Sequence, residues 1–250
     1  MLDLAGKLVV ITGGSSGIGL AMAKAFAGRG SRVVTTGRSH DRLIRAAASH
    51  DEITPAVCDV TSDEDVFTLR ETVEALGGAD VLVNNAGVMH TFDVTTGNEP
   101  LDKQVQEIAI DVTGPVRMVH QFLPAMLERP SAIINVSSGL AYVPYAATPV
   151  YSGAKSFLHA YTVSLRQQLK GTSVRVVELL PPVIDTPLAE GIAPGFARMS
   201  PETLVQHLMS GFGKGRGEIA PGASWQLRLF GRFLPRLAFR LLNADARREQ

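Results

Sequence analysis

The sequence predicts an α/β fold, a doubly wound parallel sheet flanked by helices on both faces, with an irregular region toward the C-terminus. Three observations carry that expectation. Short, apolar, β-branched runs alternate with longer segments of helical period down most of the chain. Those runs are continuously apolar, as strands covered on both faces must be. The 250 residues, 45% hydrophobic and 19% charged, are enough for one sizeable core and too apolar for bulk disorder.

Taken in order, strands are expected at 7–12, 32–36, 53–58, 80–83, 132–137 and 174–179. Helices are expected between them at 18–29, 40–49, 62–76, 101–127 and 150–169, and again at 201–210. Such a series implies right-handed crossovers and one domain over residues 1–250. Residues 186–224 are rich in Gly and Pro (PLAEGIAPG, GFGKGRGEIAPG) and read as an irregular excursion over a site. Ligands in open α/β sheets bind beyond the C-terminal strand ends, where this excursion begins. The tail, 225–250, carries six arginines against Asp245 and Glu249. Four of them, Arg228, Arg232, Arg236 and Arg240, recur every four residues between Leu and Phe, a basic amphipathic pattern interrupted at Gly231 and Pro235. Packing over the substrate loop or against another subunit is the favoured reading, with an anionic membrane surface as the alternative.

Composition narrows the function. Lys+Arg and Asp+Glu are equal at 24, so a dedicated nucleic-acid binder is not expected. The start lacks the basic and apolar regions of a signal peptide, and no run approaches a membrane span. The single cysteine, Cys58, excludes an intrachain disulfide and fits a reducing, cytoplasmic setting. The six histidines show no ligand spacing, so no metal is expected.

Two motifs carry chemistry. The first strand runs into Gly13-Gly14-Ser15-Ser16-Gly17-Ile18-Gly19 and then a helix. Glycines permit a tight turn and close backbone approach, and the helix start offers free N–H groups to phosphate. The second strand ends at Gly37-Arg38. An acid there would bind a ribose 2′-hydroxyl. Arg38 instead offers a guanidinium to a 2′-phosphate, so NADP(H) is expected over NAD(H). Farther on, Tyr151 and Lys155 stand four apart on one helix face. An ammonium ~4 Å from a phenolate, at an effective dielectric of ~20, stabilises it by about 4 kcal/mol, roughly three pKa units before desolvation. Ser138, ending the fifth strand, is placed to hydrogen-bond a substrate oxygen.

Together these residues resemble the short-chain dehydrogenase/reductase family in its compact branch, closest to DltE-like members, over residues 5–187 or so. Gly13, Gly17 and Gly19 stand as that family's glycine motif, and Asp59-Val60 as the pair beside the adenine. Asn84-Asn85-Ala86-Gly87 matches the turn that borders the cofactor and braces the sheet. Ser138, Tyr151 and Lys155 match the catalytic set. The resemblance implies a Rossmann-type sheet and hydride transfer between nicotinamide and a carbonyl or alcohol. Tyr151 would be the acid/base, Ser138 the polariser and Lys155 the group that lowers the tyrosine pKa and holds the ribose. Cofactor contacts would come from Gly13, Ser15, Ser16, Gly17, Ile18, Gly19, Arg38, Asp59, Val60, Asn85, Ala86, Gly87, Tyr151, Lys155, Pro181, Ile184 and Thr186. A homodimer or homotetramer pairing through 101–127 and 150–169 is also implied.

Two positions depart from the pattern. Asp111 stands where the family has the Asn that anchors a helix distortion and a proton relay, so a re-tuned relay is expected. Pro181-Pro182 replaces Pro-Gly and stiffens the loop before Thr186. The substrate side is expected from Met89, His90, Phe92, Leu140, Tyr142, Tyr145, Leu188 and Phe196, mostly apolar. A catalytically slack NADP(H)-binding sensor or interaction protein is the alternative function.

Overall fold

Strand β1 (Leu8–Thr12) is buried along its whole length, as are β4 (Val81–Asn84) and β5 (Ser131–Val136). They are the centre of a sheet in a computed structural model that describes residues 4–48, 50–190 and 196–244. With β2 (Arg32–Gly37), β3 (Ile53–Val57), β6 (Val174–Leu179) and β7 (Glu218–Ile219) the order is β3-β2-β1-β4-β5-β6-β7, every pairing parallel. The edge strand β3 tolerates Pro55 and leaves Val57 exposed, since a sheet edge needs no further N–H donor there.

Side chains alternate between two cores, as the two-residue strand period requires. Val9 and Ile11 of β1 pack with Met22 and Phe26 of α1 (Gly17–Ala27) and with Leu204, Leu208 and Phe212 of a C-terminal helix, 201–213. Leu8 and Val10 face the other way. They meet Val66, Leu69 and Val73 of a helix at 63–75, and Met118, Phe122 and Met126 of one at 114–127. Phe26 and Phe212 are fully buried, so truncating either to Ala would cost about 3–5 kcal/mol.

The remaining helices follow in order: α2 (His40–Ala47), α3 (Asp63–Ala75), α4 (Leu101–Ile108), α5 (Gly114–Leu127), α6 (Pro149–Gln168) and α7 (Pro201–Gly213). The helix expected over 101–127 is not one α-helix. A π-turn, Ala109–Thr113, separates α4 from α5, and the Gly114 N–H reaches back to the carbonyl of Ala109. Pro115 contributes to it: without an N–H it offers no bond to the carbonyl of Asp111 four residues earlier, and its ring crowds that carbonyl, so regular α-helical pairing is interrupted here.

Within the excursion, 186–224, α7 matches the helix expected at 201–210, and β7, which was not expected, makes the region more regular than its composition implied. The expected tail forms α8 (Ala223–Phe233) and α9 (Pro235–Leu242). Pro235 does divide them, but Gly231 does not interrupt α8. A Cβ at Gly231 would stand 2.8 Å from the carbonyl oxygen of Tyr142, so this glycine lets the helix settle on the 139–146 segment. The end of the tail, 245–250, with Arg247 and Arg248, lies outside the described residues, as does 191–195 of the excursion. No helix among the described residues is long and apolar enough to cross a membrane.

Candidate active site

A cleft of about 710 Å³ runs along the C-terminal strand ends, from the glycine turn to α8 and α9. At one end, Gly13 adopts φ +67°, where a Cβ would lie 2.9 Å from the Cα of Ala86. Gly13, Ser15, Ser16, Gly17 and Ile18 line the cleft. Gly19 does not, contrary to expectation. A Cβ there would stand 2.3 Å from the carbonyl oxygen of Gly13, so its part is to let α1 press against the turn. The turn is braced from β4. Asn85 Nδ2 donates to the carbonyls of Thr12 (2.9 Å) and Gly13 (3.2 Å), while the Thr12 hydroxyl accepts the N–H groups of Asn85 and Ala86, both at 2.9 Å. Ser16 caps α1 without a side-chain hydrogen bond, and the first turn carries no acid. Unsatisfied N–H groups and the positive helix end thus face the cleft, which fits a dinucleotide's phosphates.

Past β2, Arg38 is exposed at the cleft wall. Arg42, which the sequence reading missed, lines the same wall one turn into α2, whose start Ser39 caps by accepting the Arg42 N–H. Arg38 precedes the helix cap, so helical spacing from it does not single out Arg42 in the sequence. Asp59 and Val60, which follow β3, also line the cleft. Asp59 Oδ1 is held by the N–H (2.9 Å) and hydroxyl (2.8 Å) of Thr61. Asn85, Ala86, Gly87, Pro181, Ile184 and Thr186 also line the cleft as expected. The double-proline loop is held by Met199, whose N–H donates to Val183 and whose carbonyl accepts from Asp185, both at 3.0 Å.

Between the two ends stand Ser138, Tyr151 and Lys155. Pro149 starts α6 with the φ a first helical turn wants, which places Tyr151 and Lys155 on successive turns. Lys155 Nζ lies 5.2 Å from the centre of the Tyr151 ring and donates to the carbonyl of Val136 at 3.3 Å. Ser138 accepts the Leu140 N–H at 3.2 Å, which leaves its own proton to donate.

Asp111 lies behind the cleft on the π-turn, fully buried. Its Oδ1 accepts the Val88 N–H at 2.8 Å, and its Oδ2 forms an ion pair with Lys155 Nζ at 3.2 Å. Burial pushes this carboxyl up, against the pull of Lys155 and of the Val88 N–H. Burial pushes Lys155 down, yet Asp111 and then Tyr151 outweigh it and the ammonium is held. At Tyr151, Lys155 pulls the pKa down as expected of it, but the net direction is upward. Burial raises it more than Lys155 lowers it, Asp111 raises it further, and a Ser138 hydrogen bond opposes the rise.

A second buried carboxylate, Glu107, stands one turn before Asp111 and was not foreseen. Its Oε2 is 3.0 Å from His90 Nδ1, and its Oε1 has no partner among the described residues. Burial raises its pKa, the His90 hydrogen bond lowers it, and Asp111 raises it again. No sequence motif marks this pair, because the contact joins α4 to a loop 17 residues away.

Of the expected substrate residues, Met89, Leu140, Tyr145, Leu188 and Phe196 line the cleft. His90, Phe92 and Tyr142 do not. His90 is engaged by Glu107, Phe92 is buried, and the Tyr142 hydroxyl turns to Glu218 at 3.3 Å. Their places are taken by Gln226, Leu227, Phe230, Leu237 and Leu241 of the tail, a contact too distant in sequence to be foreseen.

The family pattern described as short chain dehydrogenase matches residues 7–195. The chain is 36% identical over 226 residues to the uncharacterized oxidoreductase DltE of Bacillus subtilis (strain 168), covering 87% of this chain and 89% of that protein. It is 32% identical over 244 residues to the 1-deoxy-11-beta-hydroxypentalenate dehydrogenase of Streptomyces exfoliatus, with 93% and 89% covered. Among solved structures, a short chain dehydrogenase of Burkholderia cenocepacia J2315 in complex with NADP superposes with a TM-score of 0.84 at 26% identity, over 96% of this chain and 98% of that one. One from Burkholderia phymatum in complex with NAD shares the fold at 22% identity, with the same TM-score, over 95% and 97%. The chain belongs to the short chain dehydrogenase family of oxidoreductases.

Proposed function

We propose that this chain is an NADP(H)-dependent oxidoreductase that interconverts a carbonyl and an alcohol. The observation that carries the reading is the meeting of Ser138, Tyr151 and Lys155 midway between a phosphate turn and an apolar cleft end. When bound, the nicotinamide supplies or accepts the hydride. The chain's part is proton and position. Ser138, with its oxygen already engaged by Leu140, donates to the substrate oxygen. Tyr151 gives that oxygen a proton in reduction and takes it back in oxidation. Lys155, kept charged by Asp111, favours the phenolate and offers donors to ribose hydroxyls.

Arg38 and Arg42 on one wall favour a 2′-phosphate, and Gly37 stands where an acid would favour NAD(H). The relatives named 1-deoxy-11-beta-hydroxypentalenate dehydrogenase support an alcohol donor. The same reading includes a single domain and a homo-oligomer, and a cytoplasmic setting that the lone buried thiol of Cys58 supports.

The test follows loss of NADPH absorbance against aliphatic, aromatic and diketone carbonyls, beside NADH and a Tyr151→Phe variant. Turnover that requires NADPH and is lost in the variant is the expected result. NADPH binding without turnover on any carbonyl would transfer support to the sensor alternative.

A further inference from the structure

Helices α8 and α9 are firmly seated. A Cβ at Gly139 would meet Leu227 Cδ1 and Ser224 Oγ at 2.9 Å, so α8 rests on the backbone there. Arg228 pairs with Glu218 of β7. Asn243, just past α9, accepts the Ala146 N–H at 2.6 Å and donates to the Pro144 carbonyl at 3.1 Å. The outward face of these helices is therefore a fixed surface and not a frayed end.

That face is apolar and cationic at once. Trp225, Phe233, Leu234, Leu237, Phe239 and Leu241 are all at least 41% exposed, Phe233 and Leu241 reaching 68%. Arg232, Arg236 and Arg240 lie exposed among them, with no ion pair or hydrogen bond among the described residues. Residues 219–244 contain no acid at all. A second copy of the chain docking through this face by two-fold symmetry would bring two cationic faces together with no acid from either to offset them. An anionic surface with an apolar interior satisfies both features, since aromatic and aliphatic side chains enter the acyl boundary while guanidinium groups reach the headgroups.

Position adds a consequence. Phe230, Leu237 and Leu241 are exposed and also line the cleft, so the apolar face is the rim of the substrate end. We propose that α8 and α9 dock this protein on an anionic lipid surface, with the mouth of the cleft turned to the lipid and open to a lipid-soluble substrate. The docking stands on these helices alone; only the substrate class rests on the oxidoreductase reading.

Trp225 is the chain's single tryptophan and lies on the docking face, so its emission reports the event directly. The full chain is mixed with vesicles of phosphatidylcholine, with or without roughly one-third phosphatidylglycerol. A blue shift and co-sedimentation with the anionic vesicles are expected, weakening as salt rises. Phe233→Ser and the pair Arg232→Glu/Arg236→Glu should each abolish both signals while circular dichroism and NADPH binding stay unchanged. No shift with anionic vesicles, or equal binding by both variants, overturns the proposal. So does light scattering in which Phe233→Ser reduces a soluble oligomer to a smaller one, since the face would then belong to a second copy. Vesicle binding does not depend on turnover, so a failed carbonyl panel and a failed vesicle assay are separate results.

Discussion

Asp111 concentrates the electrostatic cost of this site in one side chain: a carboxylate with no exposed surface, 3.2 Å from the lysine and near enough to Tyr151 to oppose its ionisation. Asn at this position would still accept the Val88 N–H but would add no negative charge. Asp111→Asn should therefore ease formation of the phenolate, and the pH of half-maximal alcohol oxidation should fall by about one pH unit. An unchanged pH–rate profile would remove Asp111 from the chemistry. Cys58 gives a second expectation. Burial, with Asp65 and Asp59 adding to it, pushes the thiol up to about 12. Iodoacetamide at mildly alkaline pH should leave it untouched in the folded protein and label it once unfolded, although it lies on the cleft wall. At this scale the sequence disclosed residues whose roles depend on local spacing: the glycine turn, Arg38, and the Tyr151/Lys155 pair. It could not disclose the outcome of burial. A Coulomb argument for two residues on a helix face has no means of weighing desolvation, and desolvation reverses the direction for Tyr151.

The π-turn shows an element that a single missing donor helps to shape. With Pro115→Ala, an N–H becomes available to the Asp111 carbonyl, and the helix can run through in ordinary register. Asp111 would rotate away from Lys155, and kcat/KM should fall by ~10- to 100-fold while the fold is kept. A variant with wild-type turnover would show that the register does not matter. Six of the seven strands were legible in order because buried parallel strands are written as unbroken apolar runs. The seventh, β7, was not. It is two residues long, lies between Gly217 and Pro221, and exists only because β6 offers it an edge. Gly231 was misread for a related reason: helix propensity counts against it, whereas the close approach to Tyr142 requires it. Gly231→Ala should thus disturb the substrate end of the cleft despite being a better helix former, visible as a raised KM with little change in kcat.

For the molecule as a whole, pH also acts through a second cluster, one turn along α6 from Lys155. His159 is raised above its ordinary 6.5, by its hydrogen bond to Glu178 first and against burial. The ring is 2.9 Å from the buried Glu178, which also accepts from Ser137 at 2.6 Å. Because the folded value is the higher one, the pair contributes fully below about 6.5 and its contribution is lost as pH rises through the folded value. The thermal midpoint should fall over that interval, by ~2–4 °C for each kcal/mol lost, and His159→Gln should flatten the slope. If the slope survives the substitution, another group is responsible.

One hydroxyl joins the two halves of the sheet where the strand order turns. Thr12 ends β1, donates to the Val83 carbonyl at 3.3 Å, and receives two N–H groups from the turn after β4. The phosphate turn is for that reason not a detachable loop. A protein engineer grafting only the glycines into another sheet would leave two donors without an acceptor, at about 1–3 kcal/mol each where water is excluded. The transplantable unit is a two-strand cassette, Thr12 together with residues 83–86, and any attempt to exchange cofactor preference at Arg38 inherits the rigidity of that cassette.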